Sequence, residues 1–326
     1  MNKYKALNKL KQFNSICLIT HYNPDGDAIG STTVFRDFLK EKFHINTVDI
    51  FAETSGSTDY ITPLLDGYTL NPKMISYDCA ILLDVATPSR AGLYESLFLN
   101  APFKVIIDHH IPQDVKANIL IRENISSTCE IVFNILKNFK YKLSTKNKGR
   151  LYTGMMTDTA NFTVGNFNKH TIKLVSEIID DIDHHAIYQQ FLNNNSIETM
   201  NVLSVAIKNI KQYQQSKILI SQISHKESKL INANPEDYSH ISNKLASING
   251  NLFSAFIYPK NNEYYVSLRS KPGYNVAEIA NKRNGGGHIG AAAFKSNASI
   301  SDIKEFLLSE FKEQLNNNSN SKPFSF

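Results

Sequence analysis

The chain has 326 residues, 42% of them hydrophobic and 20% charged, with a formal net charge of +5 and three cysteines. That length accommodates two domains with buried cores, and the composition excludes disordered, fibrous and disulfide-rich classes. No run approaches the roughly 20 apolar residues of a membrane span, and Met1-Asn2-Lys3-Tyr4-Lys5 leads into an amphipathic pattern with no apolar signal core.

Cys17, Cys79 and Cys129 stand singly in apolar surroundings, so they read as buried thiols in a reducing, cytoplasmic setting. The charge excess is unevenly spread. From Ser216 onward 13 Lys and Arg face 9 Asp and Glu, against 22 and 21 in the remainder. A mildly basic last third beside a balanced first part suits a polyanion-binding lobe next to a carboxylate-rich one.

In chain order, residues 4–13 have a helical pattern leading into the apolar run Ile16-Cys17-Leu18-Ile19, a short buried strand. The loop His21-Tyr22-Asn23-Pro24-Asp25-Gly26-Asp27 follows, with Pro24 and Gly26 expected to fix its turn. The apolar spacing from Thr32 to Leu39 then predicts a helix. Further strands are predicted at Thr47–Phe51, Cys79–Leu83 and Phe103–Ile107, with helical patterns between them, which implies βα units and a mostly parallel sheet. Two strands end on acids, Asp84 and Asp108. A helix is expected to start near Ser126-Ser127-Thr128, with Ser127 or Thr128 as its N-cap before Glu130. Lys148–Met156 reads as a helix delivering Thr157-Asp158-Thr159, and 170–213 as helical with a polar break at Asn193-Asn194-Asn195. Beyond it come a strand at Ile218–Ile223, a helix at Tyr238–Ile248, a hairpin of Leu252–Tyr258 with Tyr264–Arg269, a helix at Asn275–Asn281, and Gly285-Gly286-Gly287-His288. The tail from Asn316 to Phe326 is polar and expected to be disordered.

Four separated segments offer metal-type ligands at strand ends or adjoining loops: His21 with Asp25 and Asp27, Asp84, Asp108-His109-His110, and Asp158. The ends of parallel strands converge on one edge of a sheet. Carboxylates with imidazoles suit Mn²⁺ or Mg²⁺, and the set exceeds the needs of a single catalytic ion. A pair of ions about 3.5–4 Å apart, sharing a carboxylate, would use it fully, activating a water and neutralising charge on a phosphoryl group. A second Asp-His-His, Asp183-His184-His185, has no strand before it and reads as ordinary surface.

These motifs, in this order, resemble the DHH phosphoesterase family, and Gly285-Gly286-Gly287-His288 is similar to the signature of its DHHA1 domain. The resemblance runs from about residue 10 to about 310, and the chain's size resembles the oligoribonuclease/pAp-phosphatase (NrnA-type) subgroup. It implies an α/β fold: a mostly parallel-sheet DHH domain over 1–190, a helical linker at 191–215, and a smaller mixed-sheet α/β DHHA1 domain over 216–315. A polar tail at 316–326 and an active-site cleft between the domains complete it. It implies His21 and Asp25 on one cation, Asp27, His109 and Asp158 on the other, and Asp84 bridging the two. His110 would face the substrate phosphate as a donor or proton source, and Asp108 would orient an imidazole. Arg269 and Ser270 would contact the nucleotide, while Gly285, Gly286, Gly287 and His288 would grip a terminal phosphate.

The implied cofactors are two divalent cations, Mn²⁺ first, with Mg²⁺ or Co²⁺ as substitutes. The implied reaction is hydrolysis of very short RNA oligonucleotides to mononucleotides and of 3′-phosphoadenosine 5′-phosphate (pAp) to AMP. A homodimer through the helix after Thr128 is also implied. Two departures stand out: Ala160 follows Thr157-Asp158-Thr159 where relatives have Gly, and Asn284 precedes the three glycines where a fourth is common. Asn tolerates left-handed backbone, so that turn is expected to survive. Lys282 and Arg283 beside it are candidate phosphate contacts. The rival readings are a phosphodiesterase for linear dinucleotides, a catalytically silent nucleotide-binding protein and, ranked lowest, an inorganic pyrophosphatase.

Overall fold

In the computed structural model, residues 3–54, 61–65, 70–71, 76–110, 114–163, 167–232, 238, 241–260 and 262–317 are described. The chain divides into two units, Met1–Asn194 and Asn195–Phe326. The first contains, in order, β1 (Ser15–Ile19), α1 (Gly26–Phe43), β2 (Thr47–Phe51), α2 (Thr62–Leu65), β3 (Cys79–Leu83), α3 (Glu95–Asn100), β4 (Phe103–Asp108), β5 (Ile119–Arg122), α4 (Thr128–Asn138), α5 (Thr145–Asp158), α6 (Lys169–Ser176) and α7 (His184–Phe191). Its sheet has the order β2-β1-β3-β4-β5, with every pairing parallel. Successive side chains point to opposite faces of a strand. Ile16, Leu18, Ile81, Leu83, Val105 and Ile107 accordingly join the core under α1, α4 and α5, while Cys17, Ile19, Ala80, Leu82 and Ile106 join the core on the other face. Burial on both faces is why these strands read as continuous apolar runs.

The second unit contains α8 (Ile197–Lys208), β6 (Lys211–Tyr213), β7 (Ile218–Gln222), α9 (His225–Leu230), α10 (Ile241–Ala246), β8 (Phe253–Lys260), β9 (Glu263–Ser270), α11 (Val276–Asn281), β10 (Gly286–His288), β11 (Ala291–Ser296) and α12 (Ile300–Asn317). Its sheet, ordered β10-β11-β9-β8-β7-β6, is mixed: β7 and β8 run parallel and every other pair antiparallel. α11 and α12 cover one face through Val276, Ile279, Ile303, Leu307 and Phe311. α8 and α10 cover Phe256 on the other with Val202, Ala206, Ile241 and Leu245.

Several expectations need correction. The segment before β1 is a 3₁₀ helix over Lys3–Gln12, anchored by Leu7 and Leu10. The stretch 170–213 is broken at Asn193-Asn194-Asn195 as expected but forms four helical pieces, and its end is β6, whose Lys-Gln-Tyr sequence carries no apolar signal. α12 runs to Asn317, so the helix passes the expected start of the polar tail; residues 318–326 lie outside the described set. No helix among the described residues is long and apolar enough to cross a membrane.

Candidate metal centre

The loop from β1 to α1 is held by its backbone. Thr20 N–H donates to Phe51 O, Tyr22 N–H to Arg90 O at 2.7 Å, and Asn23 N–H to Glu53 O at 2.8 Å. The left-handed residue is Asn23, at φ 52°, so the expected turn role of Gly26 is corrected. Gly26 is instead the first residue of α1, and a Cβ there would lie 2.6 Å from Thr157 Oγ1 of α5. Gly154 does the same from α5, where a Cβ would meet Cys129 Sγ at 2.3 Å and Asp27 Oδ1 at 2.8 Å. These glycines let α1 and α5 close on each other, which brings the Asp27 and Asp158 segments to one place.

Asp25 is the N-cap of α1, with Oδ1 accepting from the N–H groups of Asp27 and Ala28 at 3.0 and 3.1 Å. Its Oδ2 faces His21 Nε2 at 3.9 Å. Asp84 follows β3 in a left-handed conformation, φ 61°, which costs a non-glycine residue of the order of 1 kcal/mol or more. Its N–H is tied to Ile107 O, and its carboxylate lies between imidazoles: Oδ2 is 3.6 Å from His21 Nε2, while Oδ1 is 3.4 Å from His109 Nε2 and 3.7 Å from His110 Nδ1. Asp158, expected in a loop, is the last residue of α5 and sits 3.2 Å from His109 Nε2. Buried Asp27 accepts from the N–H of Thr128 at Oδ2 and from that of Cys129 at Oδ1, at 2.7 and 2.8 Å. Asp108, fully buried, accepts from His110 Nδ1 at 2.7 Å and pairs with Arg122 Nε at 2.9 Å.

The side chains from these segments therefore meet in one place. His21, Asp25 and Asp84 form one group, Asp27, His109 and Asp158 another, and Asp84, His109 and His110 a third, with one ligand atom per residue within 4.8 Å of the others. His21 Nδ1 donates to Tyr22 O at 2.9 Å and His109 Nδ1 to Ile125 O at 3.3 Å, so in each ring Nε2 is the nitrogen turned to the carboxylates. That is the tautomer a cation ligand needs. Burial alone would lower both imidazoles. Asp25 and Asp84 nonetheless hold His21 up, to about 9. Asp84, Asp27 and Asp158 hold His109 up, to about 11. Burial and the neighbouring Asp84 charge push Asp27 up to about 7, and burial with Asp27 raises Asp158 well above the carboxylate range. Burial works against the Asp84 carboxylate as well, but the imidazoles keep it below its ordinary value. Protons here compensate crowded negative charge, the role a divalent cation fills with two charges, so the donor set fits such ions.

In the second unit, Arg269 Nε donates to Asn243 Oδ1 at 2.9 Å. Ser270, the last residue of β9, points away from that side chain by strand alternation and donates to Tyr274 O at 3.0 Å. Asn284 has φ 55°, so the expected turn forms. A Cβ at Gly285 would meet Ala293 O at 2.3 Å, and one at Gly287 would meet Ala291 O at 2.5 Å, so both seat β10 against β11; Gly286 and His288 are exposed. Lys282 is paired with Glu310 at 2.7 Å, and the Arg283 guanidinium lies 4.2 Å over Phe306. Asp183 of the second Asp-His-His is the N-cap of α7, and both its histidines are exposed.

The family model "DHH family, N-terminal domain" matches residues 15–160 and the "DHHA1 domain" model matches 215–317. The chain is 25% identical over 293 residues to a probable bifunctional oligoribonuclease and PAP phosphatase NrnA of Streptococcus mutans, covering 88% of this chain and 92% of that protein. It is 26% identical over 307 residues to the bifunctional oligoribonuclease and PAP phosphatase NrnA of Mycoplasma genitalium, covering 92% and 94%. An exopolyphosphatase-related protein from Bacteroides fragilis superposes with a TM-score of 0.86 at 25% identity, over 97% of this chain and 96% of that one. RecJ from Thermus thermophilus, solved with Mn²⁺, shares the fold at a TM-score of 0.54 and 11% identity, over 98% of this chain and 54% of RecJ.

Proposed function

The chain belongs to the DHH family and carries a DHHA1 domain after its DHH domain, and from that premise we propose that it is a two-cation phosphoesterase hydrolysing very short RNA oligonucleotides to mononucleotides and pAp to AMP. The observation that carries the reading is Asp84, whose two carboxylate oxygens face different imidazoles, His21 on one side and His109 on the other. The matching activities in the names of the Streptococcus mutans and Mycoplasma genitalium relatives, over about nine-tenths of the chain, support the substrate class.

In this reading His21, Asp25 and Asp84 would hold one divalent cation, and Asp27, His109 and Asp158 would hold the second together with Asp84. Mn²⁺ is assigned first, since carboxylates mixed with imidazoles suit it; Mg²⁺ and Co²⁺ are substitutes. Bound together, such ions activate a water and neutralise charge developing on the phosphoryl group. His110 gives Nδ1 to Asp108, which fixes the ring and leaves Nε2 to hold a proton for the leaving oxygen. Catalysis belongs to residues 1–190 and nucleotide recognition to 216–315. There Arg269, Ser270, Gly285, Gly286, Gly287 and His288 form the substrate-binding set, the exposed Gly286 and His288 offering the open contacts. A cytoplasmic location fits the three free, buried thiols. Self-association as a homodimer is part of the proposal, with sedimentation velocity as its check.

The deciding assay compares RNA dimer, trimer and a longer RNA with pAp, each with Mn²⁺ and with Mg²⁺. Turnover of dimer, trimer and pAp is expected, and it should vanish in Asp84→Asn, a substitution that tolerates the left-handed backbone. Intact dimer, trimer and pAp with the native protein, or unaltered turnover in Asp84→Asn, would refute the proposal.

A further inference from the structure

We propose that Thr128 is a positioning residue that fixes the two cation positions relative to each other, an inference that rests on the two-cation reading above. Its hydroxyl lies 3.0 Å from Asp84 Oδ1, and its backbone N–H is 2.7 Å from Asp27 Oδ2. One residue thus holds two carboxylates of the centre: Asp84, common to the His21–Asp25 group and the His109–His110 group, and Asp27, which belongs with His109 and Asp158.

The Ser126-Ser127-Thr128 run offers hydroxyls for a helix cap, and Ser127 takes that task by accepting from Glu130 N–H. Thr128 is therefore free of the capping role. Thr33, Thr153 and Thr157 of this unit turn their hydroxyls onto the carbonyl four residues back in their helices, whereas Thr171 of α6 gives its hydroxyl to the Glu130 carboxylate. Thr128, fully buried at the first position of α4, likewise turns its hydroxyl onto a carboxylate.

A carboxylate shared by two cations would need a fixed orientation toward both, but its own terminal torsion is soft. The Thr128 O–H fixes that rotation. It binds the oxygen flanked by His109 and His110, which leaves Oδ2 turned to His21. Thr128 is itself anchored from behind. Glu130 Oε2 accepts from the N–H and hydroxyl of Ser126 and from the Thr171 hydroxyl of α6, so the start of α4 is tied to its neighbour. Partners of this kind typically govern metal affinity about 10- to 100-fold.

The test uses the full chain stripped of metal, titrated with Mn²⁺ by calorimetry and followed by electron paramagnetic resonance. Thr128→Val removes the O–H but keeps the shape and the N–H; Thr128→Ala removes it without the bulk; Thr128→Ser keeps it. The native protein is expected to bind two Mn²⁺ as a spin-coupled pair. The Val and Ala variants should bind the second ion about tenfold or more weakly and show uncoupled ions, while Thr128→Ser stays within about threefold of native. Native affinities and a coupled spectrum in both Val and Ala variants would overturn the inference. So would a Ser variant as weak as Val, which assigns the effect to the methyl group. Native protein that binds two coupled ions yet leaves every oligonucleotide and pAp intact would sink the proposed function while the Thr128 role stands. Native protein that binds fewer than two ions overturns both.

Discussion

Asp27, Asp84, Asp158, His21 and His109 share one buried volume, where they cannot all keep the charges they carry in water. The raised imidazoles stabilise the metal-free fold fully below their ordinary value of 6.5, and that gain is lost as pH rises through about 9 for His21 and about 11 for His109. Asp27 runs the same way: the unfolded chain gives up its proton near 3.8 and the folded chain near about 7, so stability falls across that window. Asp84, held low, acts only at more acid pH. The melting temperature in a chelator should therefore fall between about pH 6 and about pH 9, and saturating Mn²⁺ should flatten the slope by replacing the protons. A melting temperature that climbs over that range in chelator would contradict this account. Asp25 has two tasks that substitution separates. Asp25→Asn keeps an N-cap acceptor and should hold metal-free stability while weakening the His21-side ion, whereas Asp25→Ala should also lose about 1 kcal/mol in urea denaturation. The convergence of these side chains was legible because imidazoles and acids at strand ends stand out in sequence. The Thr128 contact was not, because a hydroxyl in a Ser-Ser-Thr run looks the same whether it caps a helix or holds a carboxylate.

At the scale of elements, the α1–α5 crossing decides whether the centre assembles. Gly154→Ala would drive a methyl into Cys129 and Asp27, and overpacking of this kind costs about 1–3 kcal/mol. Urea denaturation should show that loss, with weaker Mn²⁺ binding alongside it because Asp27 must move. Gly149, on the same helix, is the control: its nearest neighbour to an added Cβ is Ile187 Cδ1 at 3.8 Å, so Gly149→Ala should gain up to about 1 kcal/mol from helix propensity. Equal effects at both positions would mean that the close approach of the helices is not what requires glycine. β1, β3 and β4 of the first unit were legible because burial on both faces writes an unbroken apolar run. β5 escaped that reading because only alternate residues of Ile-Leu-Ile-Arg are buried at a sheet edge. β6, β10 and β11 escaped because Lys-Gln-Tyr, glycines and alanines carry little strand preference, and pairing with neighbours places them.

Each unit has its own sheet with apolar packing on both faces, and among the described residues every candidate cation ligand lies in the first. The order of the motifs along the chain made this division readable: candidate ligand residues end at Asp158, and the excess of basic residues begins after Ser216. With a core of their own, residues 1–194 should fold alone, and on the proposed two-cation reading they should bind two Mn²⁺ with affinities within about tenfold of the full chain. Substrate turnover should separate from metal binding in that fragment. Contacts to the non-reacting part of a substrate supply energy that holds the scissile phosphate in place, so losing Arg269 and the Gly-rich hairpin should cut kcat/KM for an RNA dimer on the order of a hundredfold or more. The fragment is measured by circular dichroism, Mn²⁺ calorimetry and dimer hydrolysis against the full chain. A folded, two-ion fragment that cleaves the dimer at the native rate would remove substrate recognition from the second unit. A fragment that folds but binds no Mn²⁺ would show that the centre depends on residues beyond Asn194.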